Sequence, residues 1–427
     1  MTIQSNRSSL AGGSQRAPRT TALVLLALLT AGCSQLDRAL SVESPSRLPA
    51  KDLETPGSAA LLVRSAGADF QCALGAYIVA GGLMSGEFVE TTQTAARWSY
   101  DRRQIDPSES QYSQAGCESI GVYTPISTAR WTADNAIRHL ESWSDAQVPD
   151  RQELLAQASL YAGFDLIMLG EGFCSAAIDL GPEMTPAQLF AEADKRFTKA
   201  IAAATAAGDD SIRFAAFVGR ARSRINRGDK TGAAADAANV PVDFVYTMPA
   251  SSIGREQNRV YAQNNYGAAV SVAPAYRNVT YGGVADPRVP VVNGGRLAAD
   301  KRDSLYVQQL YTSFDTPLPI ASGAEAQLII AEAQGGQAAV NIINALHARA
   351  GLAADFASSD PAVIMAQVVE ERRRELFAHG QHLYDVNRLN LPLVPAVGAT
   401  YPKGGTYGAL RCMPLPDVER LNNPNLG

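Results

Sequence analysis

The segment from Val368 to Arg388 is the feature that most restricts how this chain can fold. Its sequence, VVEERRRELFAHGQHLYDVNR, holds six consecutive charges between apolar residues that recur at helical spacing. Exposed ion pairs contribute little to stability, so a solvated charged face is the simplest interpretation. Because apolar residues continue on both sides, we instead expect Arg372 or Arg373 to be covered by other parts of the chain and paired there. The residues assigned to structural ion pairs are Glu371, Arg372, Arg373 and Glu375.

The beginning of the chain has the organisation of an export signal. Two arginines, Arg16 and Arg19, precede an apolar run at 22–29 that is shorter than the roughly 20 residues a membrane span needs. Residues 29–33, LTAGC, resemble a bacterial lipobox, in which the cysteine is lipidated and becomes the new N-terminus; a chance match is the alternative. We therefore predict a signal peptide at 1–32, lipidation of Cys33, and a polar, proline-containing tether at 33–56.

Residues 57–427 have the composition of a folded domain. Of the 427 residues in the whole chain, 46% are hydrophobic and 19% are charged, which is enough apolar material for a large core. The net charge is -5, and no basic run outside Arg372 to Arg374 is long enough to form a phosphate-binding patch. We therefore expect no nucleic-acid partner.

Most of the chain after the tether has helical patterns, and two stretches repeat as helical hairpins. The first hairpin spans residues 212–239 around Gly228, and the second spans residues 323–351 around Gly335. Small residues at helix crossings and glycine in the turns are typical of tetratricopeptide repeats, which bury their faces by stacking. This pattern predicts an all-α fold of tetratricopeptide-like hairpins with long loop-rich inserts.

The segment between the hairpins differs in composition. Residues 241–319 are rich in Tyr, Asn, Gly and Pro and have no helical stripe. A long irregular segment is uncommon in a compact domain unless it has a function. We therefore expect a binding surface in this insert.

Of the five cysteines, Cys33 is assigned to lipidation, and Cys72, Cys117, Cys174 and Cys412 remain. An exported protein with this number can form two disulfides in three possible connectivities, or it can keep four buried thiols. If residues 112–143 and 152–173 are consecutive antiparallel helices, Cys117 and Cys174 lie at similar distances from their connection. We therefore expect Cys117 to pair with Cys174 and Cys72 with Cys412, although a kink at Pro125 can shift this register.

The charged segment and its continuation resemble the signature of a known family. Residues 370–376, EERRREL, are followed by residues 379–385, HGQHLYD, and then by Arg388. This order is similar to ERRxELxxEGxRxxDLxR, the C-terminal signature of the SusD/RagB family of outer-membrane nutrient-binding lipoproteins. Further matches in the family's order are Tyr161 to Gly170, Asp286-Pro287-Arg288, Ala331-Glu332-Ala333, Asn344 to Leu352, Met413 to Pro416 and Asn423 to Asn425.

The resemblance implies a SusD-like helical framework that is anchored by lipid to the outer membrane and exposed at the cell surface. Such a protein would cap a SusC-like TonB-dependent transporter and deliver glycans or other nutrients to it. His379 and Gln381-His382 depart from the family signature, and the chain is compact for the family. Insert loops that carry the ligand in other members can therefore be missing, so the fold transfers more safely than the ligand.

For a glycan ligand, the expected contacts are aromatic rings that lie against sugar C–H faces, with amides or charges that bind hydroxyls. Ordinary packing is the simpler role for any single such residue, so the prediction concerns the cluster. The candidate ligand-binding residues are Trp98, Tyr100, Arg102, Tyr261, Asn264, Tyr266, Tyr276, Asn278 and Tyr281.

No set of catalytic or metal-binding residues stands out in the sequence. His379 and His382 are three residues apart but have no third ligand nearby in the chain, and neither a nucleophile elbow nor a P-loop motif occurs. We therefore expect a protein that is not an enzyme and uses no metal and no cofactor. A helical-repeat scaffold that binds another protein is one alternative, and a glycan hydrolase is another, because sequence alone does not exclude a catalytic pair of carboxylates.

Overall fold

The computed structural model describes residues 53–113, 116–118 and 120–426. The predicted signal peptide, the lipidated Cys33 and most of the predicted tether lie outside the described residues. Residues from Glu54 onward form one compact unit. Within the described part of the chain, no helix is both long enough and apolar enough to cross a bilayer.

The framework consists of helices whose bounds follow the sequence signals closely. They are α1 (Ala59–Ser85), α2 (Trp98–Arg102), α3 (Tyr123–Ser142), α4 (Arg151–Gly172), α5 (Pro186–Ala207), α6 (Asp210–Asn226), α7 (Lys230–Ala237), α8 (Gly323–Gln334), α9 (Gly336–Arg349), α10 (Pro361–Glu375), α11 (His382–Arg388) and α12 (Asp417–Asn422). Single helical turns occur at Ser110–Ser113 and Arg259–Tyr261. The start of helix α5 is determined by neighbouring residues: Thr185 and Gln188 form a capping box, and Pro186 occupies the first turn.

Close approach of α4 and α5 forms the centre of the helical framework. Gly163 and Gly170 of α4 face the rings of Phe197 and Phe190 of α5, and a Cβ atom added at either glycine would lie 2.6 Å from a ring carbon. All four residues are buried. Glycine is therefore required at these two helical positions despite its unfavourable helix propensity, because only glycine lets the phenylalanine rings reach the α4 backbone.

The two predicted hairpins are present and confirm the mostly helical, tetratricopeptide-like fold. Helices α6 and α7 form the first hairpin and α8 and α9 form the second. Ala221 of α6 and Ala233 of α7 are both completely buried. Such small side chains let neighbouring helices approach closely, as the repeat pattern predicted.

Ten short strands, all in the described residues, form five two-stranded antiparallel sheets among the loops. The strands are β1 (Phe88–Glu90), β2 (Ala176–Ala177), β3 (Glu183–Met184), β4 (Val245–Met248), β5 (Val270–Val272), β6 (Thr280–Tyr281), β7 (Val284–Ala285), β8 (Val291–Leu297), β9 (Ser304–Gln308) and β10 (Leu318–Ser322). Seven of them, β4 to β10, lie in or at the end of the insert. Sequence periodicity did not reveal them, because strands of two to seven residues are too short to show a regular alternation.

The disulfide pairing expected from the sequence is wrong. The structure pairs Cys72 with Cys117, at a Cα separation of 5.5 Å, and Cys174 with Cys412, at 5.1 Å. The expected pairing assumed one helix over residues 112–143, but Pro125 fits only in a first helical turn and α3 begins at Tyr123. Cys117 therefore lies in the loop before α3 and outside the antiparallel helix pair.

The pairing of Cys174 with Cys412 follows from a contact between distant parts of the chain. Phe173 forms an isolated parallel bridge with Met413, and the Cys174 amide donates a hydrogen bond of 2.9 Å to the Met413 carbonyl. These backbone contacts place Cys412 beside the end of α4.

The charged helix α10 lies at the centre of a largely buried ion-pair cluster. Arg372 donates from Nε to Asp385 Oδ2 of α11 at 2.8 Å, and both side chains are buried. Arg388 of α11 pairs with Asp385 and, at 2.8 Å, with Glu332 of α8. The short signature motifs found in the sequence thus contact one another and hold α8, α10 and α11 together.

The other predicted members of the ion-pair set have partners on the insert or within α10. Arg288 of the insert lies 2.5 Å from Glu371 and 3.3 Å from Glu375. Arg373 pairs with Glu370 in a more exposed position than Arg372. The cluster therefore connects the insert to the helical framework and has no room for ligand.

Candidate ligand-binding site

A cavity of about 450 Å³ lies where the insert meets the C-terminal loop, and we call it the tyrosine cavity. Three parts of the chain form it: strand β1 with α2, strands β5 and β9 of the insert, and the loop from Pro395 to Tyr407. The lining residues used in the argument are Glu90, Asp101, Ser271, Arg277, Asp303, Tyr306, Tyr401, Lys403 and Tyr407.

Backbone pairing and one buried arginine hold these three parts together. Strand β1 pairs antiparallel with β5, so that Glu90 lies opposite Val270. Arg103, just after α2, is 1% exposed and donates hydrogen bonds to the carbonyls of Pro395 and Gly408 at 2.5 and 3.2 Å. Because this single side chain binds both ends of the C-terminal loop, it fixes the wall that carries Tyr401 and Tyr407.

Tyr306 of β9 is the tyrosine of the cavity that retains the most exposure. Its amide donates to Ser271 Oγ at 2.9 Å, and its carbonyl accepts from Asn264 Nδ2 at 3.0 Å. The guanidinium carbon of Arg277 lies 3.9 Å from the centre of its ring, a cation–π arrangement that holds both side chains. Tyr306 and Arg277 therefore form a flat platform with hydrogen-bond donors at one side.

Two buried carboxylates form the floor of the tyrosine cavity. Asp101 Oδ2 accepts from the Glu90 amide at 2.9 Å and from Tyr401 Oη at 3.2 Å. Burial raises the pKa of Asp101 to about 7, although the hydrogen bond from the Glu90 amide acts in the opposite direction. Glu90 is also buried and accepts hydrogen bonds from the Thr92 amide and from Arg97.

The two cationic side chains of the tyrosine cavity, Arg277 and Lys403, lie among acidic side chains. Lys403 Nζ donates to the Glu90 carbonyl, and burial lowers the pKa of Lys403 while Glu90 and Asp101 raise it. Arg277 and Lys403 thus face Glu90, Asp101 and Asp303 across a small volume. A polar ligand with many hydroxyl groups, and without a large charge of its own, fits this arrangement of donors and acceptors.

Three of the predicted ligand contacts are buried inside the protein and do not line the tyrosine cavity. Tyr100 is 2% exposed and donates from its hydroxyl to the Ile120 carbonyl at 2.7 Å. Tyr276 is also 2% exposed and packs between Phe377 and Arg373. Asn264 is completely buried and supports Tyr306 from behind, so it positions a cavity residue without reaching the cavity itself.

The other predicted contacts retain some exposure but do not line the tyrosine cavity. Trp98 donates to the Thr92 carbonyl at 3.0 Å and packs against Tyr401, so it supports the cavity wall.

The remaining predicted contacts lie away from the cavity wall. Tyr261 and Tyr266 both pack against Phe314. Tyr281 hydrogen-bonds to Asp355 at 3.0 Å. Arg102 and Asn278 are partly buried and exposed, respectively, and neither lies along the cavity.

Sequence reasoning missed the residues that do line the tyrosine cavity. It chose aromatic residues near position 100 and between 261 and 281, whereas the cavity uses Tyr306 together with Tyr401 and Tyr407. The signal for the last two is the segment TYPKGGTY at 400–407, a short loop with two tyrosines, a proline and a glycine pair. Such a loop between α11 and α12 is a candidate binding loop, because loops on a rigid framework often carry function.

In the described part of the chain, one group of side chains brings possible metal-binding atoms close together. It consists of Cys72, Cys117 and Glu118. The two sulfur atoms are joined in a disulfide and so provide no thiolate. The residues of the tyrosine cavity form no such group.

The fold and the site define a helical-repeat protein with a cavity between its insert and its C-terminal loop. The model of the SusD family matches residues 323–411. The surface glycan-binding protein A from Bacteroides thetaiotaomicron, solved in complex with laminarihexaose, is similar in structure with a TM-score of 0.66 and 13% identity, covering 86% of this chain and 98% of that chain.

Two further solved structures show the same fold. A SusD-like carbohydrate-binding protein from Bacteroides vulgatus has a TM-score of 0.65 and 14% identity, covering 87% of this chain and 97% of that chain. A laminarin-binding SusD-like protein has a TM-score of 0.58 and 15% identity, covering 86% and 98%. No curated protein sequence matches this chain. The resemblance to the SusD/RagB family is confirmed by the match over the C-terminal signature and by the shared fold, and the fold of this chain is SusD-like.

Proposed function

We propose that this protein is an outer-membrane lipoprotein that captures glycans and delivers them to a SusC-like TonB-dependent transporter. The observation that carries the proposal is the tyrosine cavity, where Tyr306, Tyr401 and Tyr407 lie beside balanced charged groups. Its volume of about 450 Å³ lies within the range of about 300–1,000 Å³ that is usual for small-ligand sites. Similarity to proteins solved with or named for glycan ligands supports the same conclusion.

The chemistry of the tyrosine cavity favours a neutral glycan over a charged or purely apolar ligand. The Tyr306 ring can lie against the C–H face of a sugar ring, while Arg277 and Lys403 donate to hydroxyl oxygens. The carboxylates beside them compensate the two cations, so a strongly anionic ligand gains little net attraction. An apolar ligand would leave several buried polar groups without partners.

The proposed delivery of glycans to a transporter rests on the resemblance to the SusD/RagB family, and the proposed lipid anchor rests on the N-terminal leader sequence. In this proposal, acyl chains on Cys33 hold the protein at the outer membrane with its surface exposed to the medium, since buried acyl chains contribute about 0.8 kcal/mol per CH₂ group. The partner is a SusC-like barrel that receives the captured glycan.

We propose that the protein binds glycans without cleaving them. Glu90 and Asp101 are the acids nearest to a hydrolase pair, but both are nearly completely buried. One oxygen of each acid is engaged: Glu90 Oε1 accepts from the Thr92 amide and Arg97, and Asp101 Oδ2 accepts from the Glu90 amide and the Tyr401 hydroxyl. Such internal hydrogen bonds orient the cavity walls and compete with the proton transfer that a hydrolase acid must perform.

Isothermal titration calorimetry with defined neutral hexasaccharides, including laminarihexaose, tests the proposal. We expect saturable binding of at least one glycan, and we expect Tyr306→Ala to weaken it tenfold or more because the platform is lost. Tyr266→Ala is the matched control, since Tyr266 is 65% exposed but lies outside the tyrosine cavity. Chromatography of the glycans after incubation should show no shorter products.

Two outcomes would count against this function. Equal effects of Tyr306→Ala and Tyr266→Ala would mean that the tyrosine cavity is not the binding site. Release of shorter oligosaccharides that stops in an Asp101→Asn variant would identify a hydrolase instead.

A further inference from the structure

A second cavity, of about 520 Å³, lies on the helical framework, and we call it the helix-face cavity. Helix α3 forms one wall, the loop containing Asp179 and Leu180 forms another, and helix α12 closes the third side. None of its lining residues lines the tyrosine cavity. The two cavities are therefore distinct sites.

The α3 wall presents three hydroxyl groups and one tryptophan in a single stripe. Thr124, Ser127, Thr128 and Trp131 all line the helix-face cavity, and their spacing of three and four residues places them on one side of the helix. Trp131 is 49% exposed, whereas tryptophan is usually well buried in a folded protein. A half-exposed tryptophan beside hydroxyl groups offers an apolar ring face surrounded by hydrogen-bonding groups.

Two buried polar atoms of this wall have no partner within the protein. Arg130 is 3% exposed and lines the cavity; its Nη atoms bind Asp134 and Asp179 at 3.1 and 2.8 Å, but its Nε atom has no acceptor. Ser127 Oγ likewise has no hydrogen-bond partner. Because buried polar groups are normally satisfied, two such atoms at one cavity indicate a site that a polar ligand or water completes.

The opposite wall is held in place by hydrogen bonds from the C-terminal segment. Asn425 donates from Nδ2 to the Leu180 carbonyl at 2.5 Å, and Asn423 donates to the Gly181 carbonyl at 2.8 Å. Asp179 adopts a left-handed backbone conformation with φ of 54°, which is unfavourable for a residue other than glycine. Its ion pair with Arg130, at 2.8 Å, connects this loop to α3.

The charge balance of the helix-face cavity indicates what kind of ligand fits. Arg130 is compensated by Asp134 and Asp179, and Glu419 of α12 adds a further acid to the lining. An anionic ligand is therefore disfavoured. Asn422, Glu419 and the hydroxyl groups of α3 instead supply both donors and acceptors for a neutral molecule with several hydroxyl groups.

We propose that the helix-face cavity is a second binding site for neutral glycans, with Trp131 as its aromatic platform. The proposal rests on the glycan-binding function proposed above and extends it from one site to two. The exposed Trp131 ring offers an apolar face to a sugar ring, and the hydroxyl, amide and carboxylate groups beside it offer hydrogen bonds to the sugar hydroxyls. Two sites on one chain would raise the avidity for long glycans whose length spans both of them.

Calorimetric titration of the whole folded chain with the same neutral hexasaccharides tests this inference. We expect a stoichiometry of two for at least one glycan. Trp131→Ala and Tyr306→Ala should each reduce the stoichiometry to one, and the double variant should abolish binding. Trp143→Ala is the matched control, because Trp143 lies just beyond the end of α3 against His139 and outside both cavities.

The possible failures are distinguishable from one another. If Trp131→Ala leaves stoichiometry and affinity unchanged while Tyr306→Ala abolishes binding, the second site does not exist and the proposed function stands. If Trp131→Ala alone abolishes binding, the second-site inference stands and the tyrosine cavity is not the site. Absence of binding by the unaltered protein to every hexasaccharide overturns both.

A last comparison separates sugar binding from protein binding and from unfolding. If Trp131→Ala weakens association with a co-purifying protein and leaves every glycan titration unchanged, the helix-face cavity is a protein interface and the proposal is overturned. The melting temperature of Trp131→Ala should match that of the unaltered protein, because Trp131 is half exposed. Loss of binding in Trp131→Phe at unchanged melting temperature would also contradict the proposal, because a phenylalanine ring retains most of the platform.

Discussion

Arg372 of α10 and Asp385 of α11 form an ion pair of 2.8 Å between side chains that are only 4% and 6% exposed. Burial acts to raise the pKa of Asp385, but the charges of Arg372 and Arg388 outweigh it and lower this pKa below its usual value. A carboxylate with a lowered pKa in the folded state stabilises the protein above pH of about 4, and this contribution is lost as the pH falls further.

The first prediction concerns this pair. Replacing Arg372 with alanine should lower the free energy of unfolding by about 3–5 kcal/mol, because it leaves Asp385 buried next to fewer positive charges. Arg373→Ala should cost only about 1–2 kcal/mol, since its pair with Glu370 is partly exposed and its contact with Tyr276 adds a modest cation–π contribution. Urea denaturation of both variants at pH 7 gives the two values. Equal losses in the two variants would show that the Arg372 pair has no special role.

The second prediction concerns Glu87, which follows α1 and is 1% exposed. Its Oε1 atom accepts from the Ala378 amide at 3.1 Å, but Oε2 has no partner, and burial raises the pKa of Glu87 to about 7. Between its unfolded pKa near 4.3 and about 7, the folded state retains a proton that the unfolded state releases, so stability falls as the pH rises. Glu87→Gln, which cannot ionise, should therefore be more stable than the unaltered protein at pH 8 by about 3–4 kcal/mol.

The pH dependence is the decisive part of the Glu87 experiment. At pH 4.5 the carboxyl is protonated in the folded state, so the advantage of Glu87→Gln should nearly vanish there. Melting curves of both proteins at pH 4.5, 6 and 8 measure this change. A stability difference that stays constant across the three pH values would mean that Glu87 does not titrate in this range.

The third prediction concerns the disulfides. Non-reducing peptide mapping of protein made in an oxidising compartment should yield linked peptides containing Cys72 with Cys117 and Cys174 with Cys412. Removing a native disulfide typically costs about 2–5 kcal/mol, and the loss grows with the length of the closed loop. The double variant Cys174→Ser, Cys412→Ser should therefore lose more stability than Cys72→Ser, Cys117→Ser, because the sequence separations are 238 and 45. A peptide linking Cys117 to Cys174 would restore the pairing expected from the sequence.

The fourth prediction concerns membrane attachment. Cys33→Ser should release the protein from the outer-membrane fraction and prevent incorporation of labelled palmitate, because the thiol that carries the acyl chains is missing. Ser34→Ala serves as the matched control and should remain membrane-bound. If the Cys33→Ser variant still fractionates with the membrane and still incorporates labelled palmitate, the lipobox interpretation is wrong.

The sequence by itself predicted the helical framework, because the interactions that define it are local. Helix α5 needs only the cap of Thr185 and the proline at position 186, and the hairpins need only glycine at turns such as Gly228 and small residues where helices cross. The charged segment of α10 also indicated a covered arginine, since charges set among apolar residues must find partners. The sequence did not show which arginine of α10 is most deeply buried, nor that its partner is Asp385 on the next helix.

Tertiary structure alone decided the two cavities and the disulfides, because each joins residues that are far apart in the chain. The tyrosine cavity brings Glu90 near β9 and near the loop carrying Lys403, and the helix-face cavity brings Trp131 near Glu419. Cys412 reaches Cys174 only through the backbone bridge between Phe173 and Met413. Periodicity and capping act over a few residues, so they determine helices and turns, whereas contacts across hundreds of residues depend on how those helices and the insert pack together.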